Sequence, residues 1–312
     1  TTAAYWDYAI GPWWRQLSSD EEVERFWAAR DEDGNLTPDV LKSQSRLQAY
    51  ELLEKCIYDV KNSHIDSMTA THIEAQMLLY DGSNKIAMMP SGDWAENEME
   101  INGYPRKNSN IGFMRVPVAS DVIWQYDDYG TKTYRFETVQ SDTVLSQVIA
   151  AIDEGKTSFE GVSEADFVAI KKLRSYTNTV AYTHNAFIPA YSNAKVGAKK
   201  FLAYLASDVA LQTYYDTTGC FLPYDNSGVT LKADATPFQK SLYSTMQNVS
   251  FVTTSDSKHK IFYATDFSFN YKLPESKIGT TEASERMTGR QYWQYVYDYY
   301  SANFNTYVAM AR

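Results

Sequence analysis

Apolar residues recur at helical spacing along most of this 312-residue chain, and the strand-like runs between them are few and short. Leu47, Tyr50, Leu53, Ile57 and Val60 place one amphipathic helix over 39–61. Ile73, Met77 and Tyr80 place a second over 69–80. Ser163-Glu164-Ala165-Asp166 reads as a capping box, with Phe167, Ile170 and Leu173 following at helical spacing. Ala198, Phe201, Leu202 and Leu205 form the stripe of another helix. Asp208 reads as the cap of the next, which ends near Gly219 with Pro223 beyond it. The last helix, over 290–308, puts Trp293, Val296, Tyr297, Tyr300 and Phe304 on one face and Tyr292, Tyr295 and Tyr299 off it, which implies burial on more than one side. The strand-like runs are 85–89, read as a buried strand, 111–117, and 179–189. Residues 119–143 alternate polar and aromatic residues around Gly130, as a hairpin does. Strands separated by helices indicate an α/β chain rich in helix.

The formal charge is −10, and the basic clusters are pairs such as Lys171-Lys172 and Lys199-Lys200. A phosphate-binding surface needs clustered Lys and Arg, so no nucleic-acid partner is expected. No apolar run approaches the roughly 20 residues that span a bilayer. The start, Thr1-Thr2-Ala3-Ala4-Tyr5, has neither the basic nor the apolar region of a signal peptide, so any such segment is expected upstream. The two cysteines, Cys56 and Cys220, are too few for a disulfide framework or a cysteine zinc site and are expected free and buried.

Catalytic signatures are missing from the sequence. There is no G-x-S-x-G elbow, no G-x-G-x-x-G and no Walker loop. His64, His72, His184 and His259 form no i, i+4 pair. The acidic turn Asp31-Glu32-Asp33-Gly34 fails as a calcium loop, because Ala29 and Val40 would fall at the first and twelfth ligand positions. No metal and no cofactor are expected, and the chain reads as a non-enzyme. A glycosidase would need only two suitably spaced carboxylates, so glycoside hydrolysis is the alternative function.

Aromatic residues make up 15% of the chain, with 25 Tyr, 7 Trp and 14 Phe. Tyr and Trp combine an apolar face with a polar handle, which suits a core and also suits a sugar, whose C–H faces stack on rings while its hydroxyls seek Asp, Asn, Glu and Arg. The segment Lys85-Ile86-Ala87-Met88-Met89-Pro90-Ser91-Gly92-Asp93-Trp94 combines the relevant parts. A strand delivers the chain to a glycine that permits close approach. A helix follows with Asp93 as its expected N-cap, free N–H groups at its start, and Trp94 in its first turn.

The stretch from Asn84 to Met99 resembles the "G-K-A-A-M…G-x-W" segment of extracellular solute-binding proteins of carbohydrate ABC transporters, the maltose-binding-protein-like family. Ile111-Gly112-Phe113 through Pro117 is similar to that family's "iGf-p-P" strand. Ala186-Phe187-Ile188-Pro189-Ala190, Ser192-Asn193-Ala194-Lys195 and Ala198-Lys199-Lys200-Phe201-Leu202 resemble its "aIpa-skn…akkFl" run, and Thr218-Gly219-Cys220-Phe221-Leu222-Pro223 its "tG-lP" continuation. These matches come in family order over about 40–225.

The resemblance implies a periplasmic-binding-protein-like (type II) fold, of which this chain holds the second lobe and the segment that crosses back. A further βαβ lobe of roughly 100 residues is expected upstream, since family members begin with one. Residues 1–117 would be the first part of the second lobe, 118–180 an insertion, 181–228 the hinge-crossing strand and helices, and 229–312 a C-terminal helical part. Trp94 aligns with the family's sugar-stacking tryptophan, beside Gly92 and Asp93. Tyr5 and Trp6, Tyr182, His184 and Asn185, and Phe267 and Tyr271 fall where the family places further cleft residues. The function implied is non-covalent capture of an oligosaccharide for an ABC importer, with the permease subunits as partners. The location implied is extracellular or periplasmic, with membrane contact only through a lipid anchor outside this sequence. A carbohydrate-active enzyme or a surface glycan-binding module is the alternative.

Overall fold

The computed structural model describes residues 7–66, 69–82, 86–106, 110–126, 131–179, 186–253, 259–263, 275–280 and 282–312. In chain order these form α1 (Asp7–Leu17), α2 (Asp20–Ala28), α3 (Gln44–Ile57), α4 (His72–Tyr80), α5 (Ala95–Ile101), β1 (Trp124–Tyr126), β2 (Lys132–Tyr134), α6 (Asp142–Asp153), α7 (Glu164–Ser175), β3 (Tyr176–Thr179), α8 (Lys195–Leu205), α9 (Asp208–Thr218), α10 (Pro237–Met246), β4 (Ser250–Thr253), α11 (Lys260–Tyr263) and α12 (Gly289–Met310). The described residues are helix-rich with few strands, which is compatible with an α/β class. Among the described residues no helix is long and apolar enough to cross a membrane. Two compact units result, a smaller one from 69–115 and 179–251 and a larger one from 7–66, 116–178 and 252–312. β3 and β4 pair in a two-stranded sheet, and both strands lie where the chain passes from one unit to the other.

The larger unit is organised by α3, which packs on both α1 and α12. α12 starts with a capping box in which Thr288 and Gln291 satisfy one another's backbone N–H groups at 3.1 and 2.8 Å. Gly289 comes next because a Cβ there would lie 2.7 Å from the backbone of Tyr50 and Glu51. This close approach sets the helix rotation. The buried seam is Tyr292, Val296, Tyr300, Phe304 and Tyr307, turned from the expected Trp293-centred face, and Tyr292 meets Tyr50 edge-on at 5.0 Å. Trp293 and Tyr297 are covered from the flank by the 3-10 turn Pro38–Lys42. There Lys42 sits 4.0 Å over the Tyr297 ring, and the Tyr297 hydroxyl donates to Asp39 at 2.7 Å. The helix is thus buried on more than one side.

The single helix expected over 39–61 is broken at Ser43, whose extended backbone (φ −62, ψ 147) separates that 3-10 turn from α3. Arg46, in the first turns of α3, is buried among Trp14, Phe26 and Tyr50, its guanidinium 4.6 Å from the Phe26 centroid and donating to the Tyr50 hydroxyl at 2.9 Å. β1 and β2 form the expected hairpin, antiparallel, with Trp124 opposite Tyr134 and the two rings stacked at 4.2 Å. Ser163 caps α7, and Phe167, Ile170 and Leu173 are buried as the spacing requires. Asp166 does not close the box. Its carboxylate instead accepts from the Thr138 N–H and hydroxyl at 2.6 and 2.5 Å. Burial opposes its charge, but these bonds and that from Glu137 hold the carboxyl below its ordinary range.

In the smaller unit Leu211, Tyr215, Phe221, Val229, Phe238, Leu242 and Ala95 make the core. The buried strand expected at 85–89 does not form at residues 86–89; Ala87 is exposed and Met88 is 72% exposed. Among the described residues no strand pairs with it, and an apolar run becomes a strand only by joining a ladder. Residues 111–117 are likewise not a strand. They keep the alternation, with Ile111 and Phe113 half-buried and Gly112 and Met114 exposed, but their partner is a helix. The Phe113 N–H donates to the Ser241 hydroxyl at 2.7 Å, Arg115 donates to the Thr245 carbonyl, and Phe113 meets Phe238 edge-on. Of the strand expected over 179–189, Thr179 is extended only as the last residue of β3, residues 180–185 lie outside the described residues, and 186–189 are not a strand.

α9 is capped by Ser207, not Asp208, and ends on Gly219 in the left-handed region (φ 74), where only a glycine is free of strain. α8 forms where its stripe predicts, yet none of its residues is buried; Phe201 is 59% exposed. Both cysteines are free, but only Cys220 is buried; Cys56 lies on the exposed side of α3.

Candidate functional site

Gly92, Asp93 and Trp94 come together in one turn leading into α5. The Ala95 N–H donates to the Gly92 carbonyl at 3.2 Å and the Glu98 N–H to the Trp94 carbonyl at 3.0 Å. Trp94 itself is the N-cap residue, without a side-chain bond to the helix start, in place of the expected Asp93. Its indole is half-buried and folds back onto Gly92, so that a Cβ at Gly92 would overlap three carbons of the six-membered ring. The glycine therefore permits the close approach of this indole.

Asp93 faces inward, toward the run after α9. Burial pushes its carboxyl up, against the backbone N–H groups of Phe221, of Asp93 itself and of Trp94, which favour the charged form. The Cys220 thiol donates to the Asp93 carbonyl at 3.3 Å and accepts from the Asn97 amide at 3.1 Å. Arg106 donates to the Asn97 side-chain carbonyl, reaches the Thr218 carbonyl at 3.4 Å and pairs with Glu100 at 2.6 Å. One turn on, Glu96 is 3% exposed and accepts from the Thr236 hydroxyl at 2.6 Å and the Gln239 amide at 3.0 Å. Thr236 and Gln239 are also the capping box of α10, so one carboxylate ties the start of α5 to the start of α10.

The chemistry of this network is that of a brace. Burial, followed by the nearby Asp93 charge, pushes the Cys220 thiol up to about 12, whereas a cysteine nucleophile needs its thiolate favoured. Burial likewise raises the Glu96 carboxyl and the Tyr80 hydroxyl. The brace lies beside the turn bearing Trp94, whose side chain is half-buried.

Of the residues picked from the sequence, the structure brings together Gly92, Asp93 and Trp94. Tyr5, Trp6, Tyr182, His184, Asn185, Phe267 and Tyr271 lie outside the described residues. Sequence reasoning missed Glu96, Asn97, Arg106 and Cys220. The one signal available was Thr236-Pro237-Phe238-Gln239, a helix start whose capping pair was there to be read. No protein-family model, curated protein or solved structure matches the chain.

Proposed function

We propose that this chain is the substrate-binding component of an ABC importer, which holds an oligosaccharide without covalent chemistry and delivers it to membrane permease subunits. The carrying observation is the Trp94 indole, half-buried and fixed on Gly92 at a braced turn. A half-buried ring held against a glycine supplies a stacking plane for the C–H face of a pyranose. The ordered run of motifs from Asn84 to Pro223 supports the same reading. So does the pairing of β3 with β4 where the chain crosses between its units, since a periplasmic-binding-protein-like (type II) fold needs paired crossings. An extracellular or periplasmic location and a lipid anchor outside this sequence belong to the proposal.

Covering roughly 60 Å² of ring and sugar surface contributes about 1.5 kcal/mol at about 25 cal/mol per Å². Trp94→Ala should therefore weaken binding about ten-fold. The test is calorimetric titration of the chain with maltotriose, cellotriose and xylotriose, with chromatography of the mixture afterwards. Stoichiometric uptake of an intact sugar, weakened in Trp94→Ala, is the expected result. Cleavage products would replace the proposal with a glycoside hydrolase, and binding indifferent to Trp94 would remove its physical basis.

A further inference from the structure

We infer that the smaller unit carries a second saccharide contact, in the concavity between the turn 223–227 and the segment 246–251. The inference rests on the saccharide reading above, but not on Trp94, which does not line this concavity.

Its volume is about 360 Å³, within the range of small-molecule sites. One wall is a turn made stiff from inside. Asn226 is 3% exposed, and its amide donates to the Leu222 and Tyr224 carbonyls at 2.9 and 2.7 Å. The Val229 N–H donates back to the Asn226 carbonyl at 3.0 Å. Asp225 accepts from the Ser227 N–H at 2.9 Å. This bond and that of the Ser227 hydroxyl hold its carboxyl below the ordinary range, so it stays ionised at neutral pH. Tyr224 stands out from the turn, 51% exposed. The opposite wall offers the Phe251 ring on β4, 36% exposed, with Met246 and the exposed amide of Gln247.

The lining selects the class of ligand. None of it is basic, so nothing there holds a phosphate or carboxylate. A single carboxylate is too few for a hard cation, which takes six or more oxygens. Two exposed rings lining the same concavity as a fixed carboxylate, a hydroxyl and an amide suit a neutral molecule with an apolar face and a rim of hydroxyls, which describes a sugar ring. A concavity on the larger unit is about 230 Å³ and is lined by residues that include Glu22, Arg25, Arg30, Glu32, Asp39 and Lys42. Arg25 and Glu32 pair with each other there, and no aromatic ring lines it.

The test is titration of the whole chain with the same three trisaccharides, comparing wild type with Tyr224→Ala, Gln247→Ala and Trp94→Ala. Tyr224 and Gln247 are too exposed for their loss to unfold the unit, and the melting temperature of each variant checks this. The inference expects binding at least five-fold weaker in Tyr224→Ala, with a smaller loss in Gln247→Ala. If Trp94→Ala is weakened while Tyr224→Ala and Gln247→Ala bind as wild type does, this second contact is overturned and the proposed function stands. If Tyr224→Ala is weakened and Trp94→Ala is not, the second contact stands and the role of Trp94 falls. A wild-type chain that binds none of the three overturns both.

Discussion

Adding one methyl group at Gly92 tests whether the Trp94 plane is held by the chain or merely placed there. Gly92 does not occupy the left-handed region, so the backbone accepts alanine without strain. The whole effect must therefore come from the side chain. The new Cβ would overlap Cε3, Cζ3 and Cη2 of Trp94, and restoring a normal carbon–carbon separation of about 3.5–4.0 Å requires the ring to move by roughly an ångström or more. Overpacking of this kind costs about 1–3 kcal/mol. A ring that swings away instead exposes roughly 60 Å², about 1.5 kcal/mol by area. Either route predicts that Gly92→Ala destabilises the chain by about 1–2 kcal/mol and weakens saccharide binding about ten-fold. The decisive assay is a double-mutant cycle. With Trp94 already replaced by alanine, the methyl group meets nothing from that ring, and Gly92→Ala should cost close to zero. Urea unfolding of the four proteins gives the coupling, expected at about 1 kcal/mol or more. Among the seven tryptophans, fluorine NMR of 5-fluorotryptophan-labelled chain isolates Trp94 through the resonance missing in Trp94→Phe. Additive costs in the cycle, or an unmoved resonance in Gly92→Ala, would refute the reasoning.

Two further outcomes follow from the brace behind the turn. Asp93 and Glu96 have carboxyls raised by burial above ordinary values of 3.8 and 4.5, so the folded chain binds their protons more tightly than the unfolded one. Their contribution is complete below those ordinary values and is lost as pH rises through the elevated ones. The unfolding free energy of wild type relative to Glu96→Gln should therefore fall between pH 4 and pH 8, and a difference that is flat with pH would count against a buried, proton-holding Glu96. The two thiols should also separate. At pH 8 iodoacetamide should modify Cys56, which is exposed, and spare Cys220, which is buried with its thiol near 12, until denaturant is added. Equal rates at the two sites by peptide mapping would contradict the packing at Asp93.

The elements that local chemistry dictates were legible in the sequence. Ser163 starts a helix because its hydroxyl reaches an N–H three residues on, and Gly219 ends one because its backbone turns left-handed without strain. The Trp124–Tyr134 hairpin and the Gly92-Asp93-Trp94 turn belong to the same class. Two of the three strand-like runs, 85–89 and 111–117, misled for a physical reason. A strand exists only by pairing, and whether 86–89 and 111–117 find an edge depends on what lies beside them. Residues 111–115 found α10 instead, through Ser241 and Thr245.

By itself the sequence determined that Ser163 starts one helix and Gly219 ends another, and that a glycine, an acid and a tryptophan precede a third. Only the tertiary structure decided which faces are covered. It left the α8 stripe open, turned the α12 seam toward Tyr50, and brought Thr236 across 140 positions to Glu96. Propensity and capping act over a few residues, so the chain carries them wherever it goes. Burial and pKa depend on neighbours distant in sequence, and those exist only once the chain has folded.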